Sequence, residues 1–271
     1  MNKRETLNLN MLNIEVYAEE DDIFLQDIAK ELGLPLVNRP TNNIDYRLMR
    51  RNEKLCLEGG IDGGEVTICV DFSSGESSYR REQGAGKKQP IARAIGLSKP
   101  SNKKQIRNEC INVLDATAGL GGDAFVIACL GCNVKMLERS PIIAALLNDG
   151  LQRGRQDENI QSVINRMSLY HIESEAYFTQ VKDAPDVIYL DPMYPARKKS
   201  AKVKKEMQIL QGLLAHSVHE DNDVLLKGAM RMAKNRVVVK RPKGAEYLND
   251  LAPNHSIESK KTRYDVYLCS I

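Results

Sequence analysis

The chain has 271 residues, 42% hydrophobic and 28% charged, with a formal net charge of +3. These are ordinary globular proportions, which exclude disordered and fibrous classes and leave room for one large α/β domain with an appendage. No apolar run nears the roughly 18 residues that a bilayer span requires, and Met1 to Asn10 lacks the apolar core of a signal peptide, so a cytoplasmic protein with no membrane partner is expected. Six scattered cysteines in a chain of this size read as reduced thiols.

Charge is unevenly spread. Met11 to Glu31 is acidic, whereas basic residues gather at Arg80, Arg81, Lys87, Lys88 and Arg93, and fill six of nine positions from Arg197 to Lys205. Two basic islands on a nearly neutral chain suggest a local polyanion-binding face. The competing reading is a merely solvated surface.

In chain order, Ile14 to Tyr17 suits a short strand and Asp22 to Leu32 has helical spacing, ended by Gly33 and Pro35. Lys54 to Leu57 and Val66 to Phe72 look like paired strands joined across turns at Gly59-Gly60 and Gly63-Gly64. Ser73 to Lys88, rich in Ser, Gly and charge, reads as a linker or binding loop, and Ser98 to Glu109 is a second polar stretch. From Cys110 the pattern alternates. Short apolar runs at Ile111 to Leu114, Val134 to Leu137, Ser168 to Ile172, Val187 to Leu190 and Val237 to Val239 are expected strands, with a last one at Tyr264 to Ser270. Helices are expected at Ala124 to Leu130, Pro141 to Arg153, Ile160 to Met167, Glu175 to Val181, Val203 to His216 and Val224 to Ala233. Such alternation predicts a doubly wound parallel sheet with its ligand crevice at the carboxyl ends of the strands. The expected division is a small N-terminal α/β subdomain over 1–80, a basic linker and helix over 81–109, and the alternating domain over 110–271.

Two features mark that crevice. Asp115 to Asp123 reads Asp-Ala-Thr-Ala-Gly-Leu-Gly-Gly-Asp, where glycines let the backbone turn sharply and approach a ligand. Such a loop can cradle a dinucleotide pyrophosphate or wrap the amino-acid end of S-adenosylmethionine. Glu138, ending the next strand, can accept both ribose hydroxyls of an adenosine, which fits NAD and S-adenosylmethionine equally. The strand Val187 to Leu190 then runs into Asp191-Pro192-Met193-Tyr194-Pro195. A base amine is a poor nucleophile because its lone pair is delocalised into the ring. Asp191 and the Pro192 carbonyl can accept its two N–H bonds, and Tyr194 can stack on a base turned out of its helix. This favours amine methylation over NAD chemistry, which leaves Asp191 to Tyr194 without a role.

Asp115 to Phe125, Met136 to Pro141, Leu146 to Gly154, Tyr189 to Pro195, Lys199 to Met207 and Arg236 to Pro242 together resemble the RsmJ family. These are class I methyltransferases acting on the exocyclic amine of a guanine near the 3′ end of bacterial 16S ribosomal RNA. The resemblance covers roughly Val70 to Tyr267 and implies a Rossmann-like, mostly parallel seven-stranded sheet. It also implies S-adenosylmethionine held by Gly121, Gly122, Asp123, Glu138, Arg139, Glu173, Ser174 and Asp191. The chain departs from the family at Glu173, where Ser is frequent, and at Gly122, where Arg is usual. Asp191, Pro192 and Tyr194 are the expected catalytic residues. Arg80, Arg81, Arg197, Lys198, Lys199 and Lys240 are the expected contacts to the RNA or small ribosomal subunit. An adenine-amine methyltransferase on RNA or DNA, and a non-catalytic RNA-binding factor on the same scaffold, stand as alternatives. Cys129-x-x-Cys132 and the pair His216 and His219 have no further ligands at metal spacing, and no metal is expected.

Overall fold

The computed structural model describes residues 12–19, 22–61, 63–73, 89–97, 110–193, 205–215 and 222–269. Contacts divide the chain into two compact units. Residues 74–88 and 98–109, which carry most of the predicted linker and loop, lie outside the described residues.

The first unit draws on Met1–Val70, Ser140–Gln152 and Pro195–His219. Its strands are β1 (Ile14–Tyr17), β2 (Leu36–Val37), β3 (Tyr46–Arg51), β4 (Lys54–Ile61) and β5 (Gly64–Cys69), in the order β2-β1-β3-β4-β5. β1 pairs parallel with β2 and β3, while β3, β4 and β5 form an antiparallel meander. Between β1 and β2 runs helix α1 (Ile23–Leu32), which buries Leu25 and Ala29, one turn apart. The Asp22 carboxylate caps it by accepting the Leu25 N–H at 3.1 Å. Left-handed Gly33 (φ +64°) stops it, so that the Leu34 N–H reaches back to the Ala29 carbonyl at 2.9 Å.

The hairpin differs from expectation. Gly59 and Gly60 are not a turn; they lie inside β4, opposite Val66 and Glu65. The reason is packing. A β-carbon on Gly59 would stand 2.7 Å from Ile209 Cδ1, on α7 (Lys205–Leu214), and 2.8 Å from Tyr46 Cδ1.

The sheet of this unit also buries charge. The Arg47 guanidinium reaches Glu15 at 2.7 Å, Glu58 at 3.4 Å and the Thr41 carbonyl at 3.0 Å. Thr41 donates its hydroxyl to Glu15, and Arg51 donates to Glu58. Burial opposes ionisation of Glu15, but the bonds from Thr41 and Arg47 outweigh it and hold the carboxyl below its usual range.

The second unit draws on Asp71–Arg139, Arg153–Tyr194 and Glu220–Ile271. Its strands are β6 (Asn112–Asp115), β7 (Asn133–Glu138), β8 (Met167–His171), β9 (Val187–Leu190), β10 (Arg236–Pro242), β11 (His255–Glu258) and β12 (Thr262–Leu268). They form a seven-stranded sheet in the order β11-β12-β10-β9-β6-β7-β8. β10, β9, β6, β7 and β8 are parallel, and β12 and β11 are added antiparallel at one edge. This is the mostly parallel, doubly wound sheet expected from the alternation. β6, at the centre, leads through a glycine loop into α3 (Gly122–Cys129). Fully apolar strands such as β9, buried at all four positions, are what helices covering both faces produce. One core layer joins Leu114, Ile188, Leu190, Val237 and Val239 to Leu225, Leu226 and Ala229 of α8 (Asn222–Met232).

The remaining helices are α2 (Pro90–Ala94), α4 (Pro141–Gln156), α5 (Gln161–Ile164) and α6 (Ser174–Gln180). α5 is a single turn rather than the longer helix expected to reach Met167. Met167 instead opens β8, opposite Val134.

Candidate active site

The site is assembled at the carboxyl ends of β6, β7, β9 and β10. After β6, Asp115 is buried and accepts the Thr117 N–H at 3.1 Å. Its burial pushes the carboxyl up to about 8, against the Thr117 N–H and the charge of Lys240. Gly119 (φ +52°) and Gly121 (φ +74°) then turn the chain into α3. A β-carbon on Gly119 would meet nothing within 4 Å, so that glycine answers to backbone conformation and leaves open space beside the loop. The first N–H groups of α3 have no helical partner and form an electropositive end.

Neighbouring strands hold this loop in place. Glu138, at the end of β7, accepts the Gly119 N–H at 3.0 Å. Ser174, buried at the start of α6, donates its hydroxyl to the Ala116 carbonyl. Glu173, just before it, is exposed. The Arg139 carbonyl lies 3.2 Å from Nε2 of His171. On the other side, Thr117 accepts the Asp191 N–H at 2.6 Å, and Ala116 donates to the Tyr189 carbonyl at 3.0 Å.

Asp191 follows β9 directly, with Pro192 buried and Met193 exposed behind it. β10 pairs parallel with β9, Val239 opposite Leu190, so the next residue on each strand stands level. Lys240 is thereby brought to Asp191. Its ammonium lies 2.8 Å from Asp191 Oδ2 and 2.7 Å from Asp123 Oδ2. Asp123 Oδ2 also accepts the Tyr189 hydroxyl at 2.7 Å. Burial raises the Asp191 carboxyl above its ordinary range, opposed chiefly by Lys240. Against desolvation, the two carboxylates hold the Lys240 ammonium above its own range.

Gly121, Gly122, Asp123, Glu138, Ser174, Asp191 and Pro192 thus lie on elements that converge on one end of the sheet. Lys240, expected to face RNA, is directed at two carboxylates instead. Tyr194, Arg80, Arg81, Arg197, Lys198 and Lys199 lie outside the described residues. Thr117 and Tyr189 escaped the sequence reading, since their partners are 74 and 66 residues away. A cavity of about 340 Å³, lined by Asn112, Lys135, Arg166, Asp183 and Lys234 among others, opens at the amino ends of β6, β7 and β8. It is at the wrong end of the strands to belong to the site.

A family profile described as "Putative SAM-dependent methyltransferase" matches residues 27–269. The chain is 50% identical, over 96% of its length, to the whole of the ribosomal RNA small subunit methyltransferase J of Tolumonas auensis. The chain belongs to the ribosomal RNA small subunit methyltransferase J family. The family member of Hydrogenovibrio crunogenus is 47% identical, with 91% of this chain and 92% of that protein covered. The crystal structure of a SAM-dependent methyltransferase from Neisseria gonorrhoeae superposes with a TM-score of 0.68 at 33% identity, covering 94% of this chain and 95% of that one. The family is the one that the sequence motifs resemble. As a member, the chain is a methyltransferase that uses S-adenosylmethionine.

The residues present suit that cofactor. Open space beside Gly119, N–H groups at the start of α3 that have no partner within the helix, and a carboxylate at Asp123 offer partners for an amino acid's two charged ends. Among the described residues no three His, Cys, Asp or Glu side chains converge on a metal position. Cys132, the second cysteine of Cys129-x-x-Cys132, is a buried thiol that burial pushes up to about 11. No described helix is long and apolar enough to cross a membrane.

Proposed function

We propose that the chain transfers a methyl group from S-adenosylmethionine to the exocyclic N2 amine of a guanine in the 16S ribosomal RNA of the small subunit. The observation that carries the reading is the Asp191 carboxylate. It ends a buried strand beside the glycine loop, anchored through its N–H to Thr117 and through Oδ2 to Lys240. Its Oδ1 accepts no hydrogen bond from the described residues.

The cofactor supplies a methyl group on a sulfonium, a leaving group that departs neutral and needs no acid. In this reading Gly121, Gly122 and Asp123 hold its amino-acid end, Glu138 and Arg139 its ribose, and Glu173 and Ser174 its adenine side. Asp191 accepts one amine N–H and the Pro192 carbonyl the other, which turns the nitrogen lone pair toward the methyl carbon. Tyr194 stacks on the extruded base, an interaction worth about 1–3 kcal/mol. The amine proton leaves afterwards, to Asp191 or to water. Arg80, Arg81, Arg197, Lys198 and Lys199 neutralise phosphates beside the target. Catalysis is then positioning in a prepared site.

The test supplies labelled S-adenosylmethionine with unmodified 16S RNA, small subunits and DNA, then digests each and identifies the labelled nucleoside. Label on guanosine N2 from RNA or subunits is expected. Label on adenosine, or in DNA alone, would overturn the reading.

A further inference from the structure

Asp123, Asp191 and Lys240 come from three different elements, the first turn of α3 and the ends of β9 and β10, and one ammonium joins them. We propose that Lys240 is a positioning residue for the transfer. By occupying Oδ2 of Asp191, it keeps that carboxylate charged and its Oδ1 turned to the incoming amine. This rests on the role given to Asp191 above and assigns Lys240 a task that a contact to RNA phosphate would not perform.

Three observations lead there. Lys240 is placed by strand pairing, which fixes the height of its stem against Asp191. Its ammonium already serves two carboxylates at 2.7 and 2.8 Å, and only 27% of the side chain is exposed. A phosphate-binding lysine, by contrast, presents an exposed head as a point charge. Finally, removing the cation would leave Asp123 and Asp191 as two neighbouring acids in a partly buried site, and one of them would then take up a proton. A protonated Asp191 has lost its negative charge and is a poor acceptor for an amine N–H. Among the described residues, the charged and titratable groups that face Asp191 are Lys240 and Arg241, which favour its ionised form, and Asp123, which opposes it; Asp115 and Tyr189 are close by.

Lys240→Met, Lys240→Gln and Lys240→Arg are compared with the wild type on whichever nucleic acid the wild type methylates. Thermal unfolding establishes folding, and calorimetric titration measures the affinity for S-adenosylmethionine. The neutral variants are expected to lose about tenfold or more in kcat, as for one charge-assisted hydrogen bond, while KM for RNA changes less than threefold. The acid limb of their kcat–pH profile should move to higher pH, because Asp191 then needs a higher pH to ionise. The arginine variant should keep that limb in place and recover most of kcat. If Lys240→Met fails to fold, Lys240→Gln carries the same comparison. An unchanged kcat with a raised KM for RNA and a shallower salt dependence would overturn the proposal in favour of a phosphate contact. So would an acid limb that stays where it was in both neutral variants. A wild type that methylates no guanosine would instead count against the function proposed above, a separate outcome.

Discussion

Each compact unit gathers arginine or lysine with carboxylates, and the two clusters differ in how completely the charges are enclosed. In the first unit Glu15 and Glu58 are only 3% and 5% exposed, and both meet the Arg47 guanidinium, with Thr41 and Arg51 completing the set. In the second, Asp191 keeps 41% of its side chain exposed and Oδ1 without a described partner, although Lys240 holds Oδ2. In the enclosed network all four carboxylate oxygens already accept hydrogen bonds, and it works as structure, tying β1, β3 and β4 together. The unsaturated one, at the strand ends where a doubly wound fold places its ligand, is poised for chemistry. Charge density alone does not mark a site; unspent hydrogen-bonding capacity does.

Removing one member of the enclosed cluster should break this contrast most sharply. Arg47→Ala leaves buried Glu15 without its cation and Glu58 with Arg51 alone, and should cost about 3–5 kcal/mol of stability. Denaturant unfolding should show that loss, while kcat of the folded enzyme stays unchanged. Gly59→Ala, beside the same network, should cost about 1–3 kcal/mol by overpacking against Ile209 and Tyr46, again without effect on kcat. A third effect, spread over a range of pH, concerns Asp115 of the second unit. Its acid is ordinarily half-ionised at 3.8 but at about 8 in the folded protein. The unfolded chain therefore releases this proton first. Its contribution to stability is full below pH 3.8, declines by at most about 1.4 kcal/mol per pH unit as pH rises through the window, and is level again above pH 8. Asp115→Asn should remove that decline, read as the difference between the two proteins' melting temperatures across the same pH range.

Much of the second unit was legible because its strands are short, apolar and separated by amphipathic helices. β9 falls on the predicted residues, and β6, β7 and β10 lie within a few positions of theirs. β11 was not foreseen, since His-Ser-Ile-Glu at a sheet edge has one buried position. In the first unit β3 was missed because Tyr-Arg-Leu-Met-Arg-Arg looks like surface. Arg47 can be buried there only because Glu15 and Glu58 meet it from other strands. Gly59 looked like a turn because the side chains of Tyr46 and Ile209 that exclude a β-carbon come from elsewhere in the chain. Lys240 shows the same gap at the site: the residues that follow it, Arg241 and Lys243, add positive charge, and its carboxylate partners lie 49 and 117 residues away. Local pattern reveals strands, glycine loops and the Asp191 corner. Long-range pairing of charges does not leave a local trace.

The claim that the unsaturated carboxylate orients the reacting amine is tested most directly by single-turnover transfer in Asp191→Asn, with cofactor and RNA both saturating. The asparagine keeps the backbone anchor to Thr117 but loses the charge and one acceptor oxygen. A fall in the transfer rate on the order of 10²-fold, typical of a misplaced reacting group, with RNA and cofactor affinities within a few-fold of wild type, is the predicted result. An undiminished rate in the folded variant would contradict it.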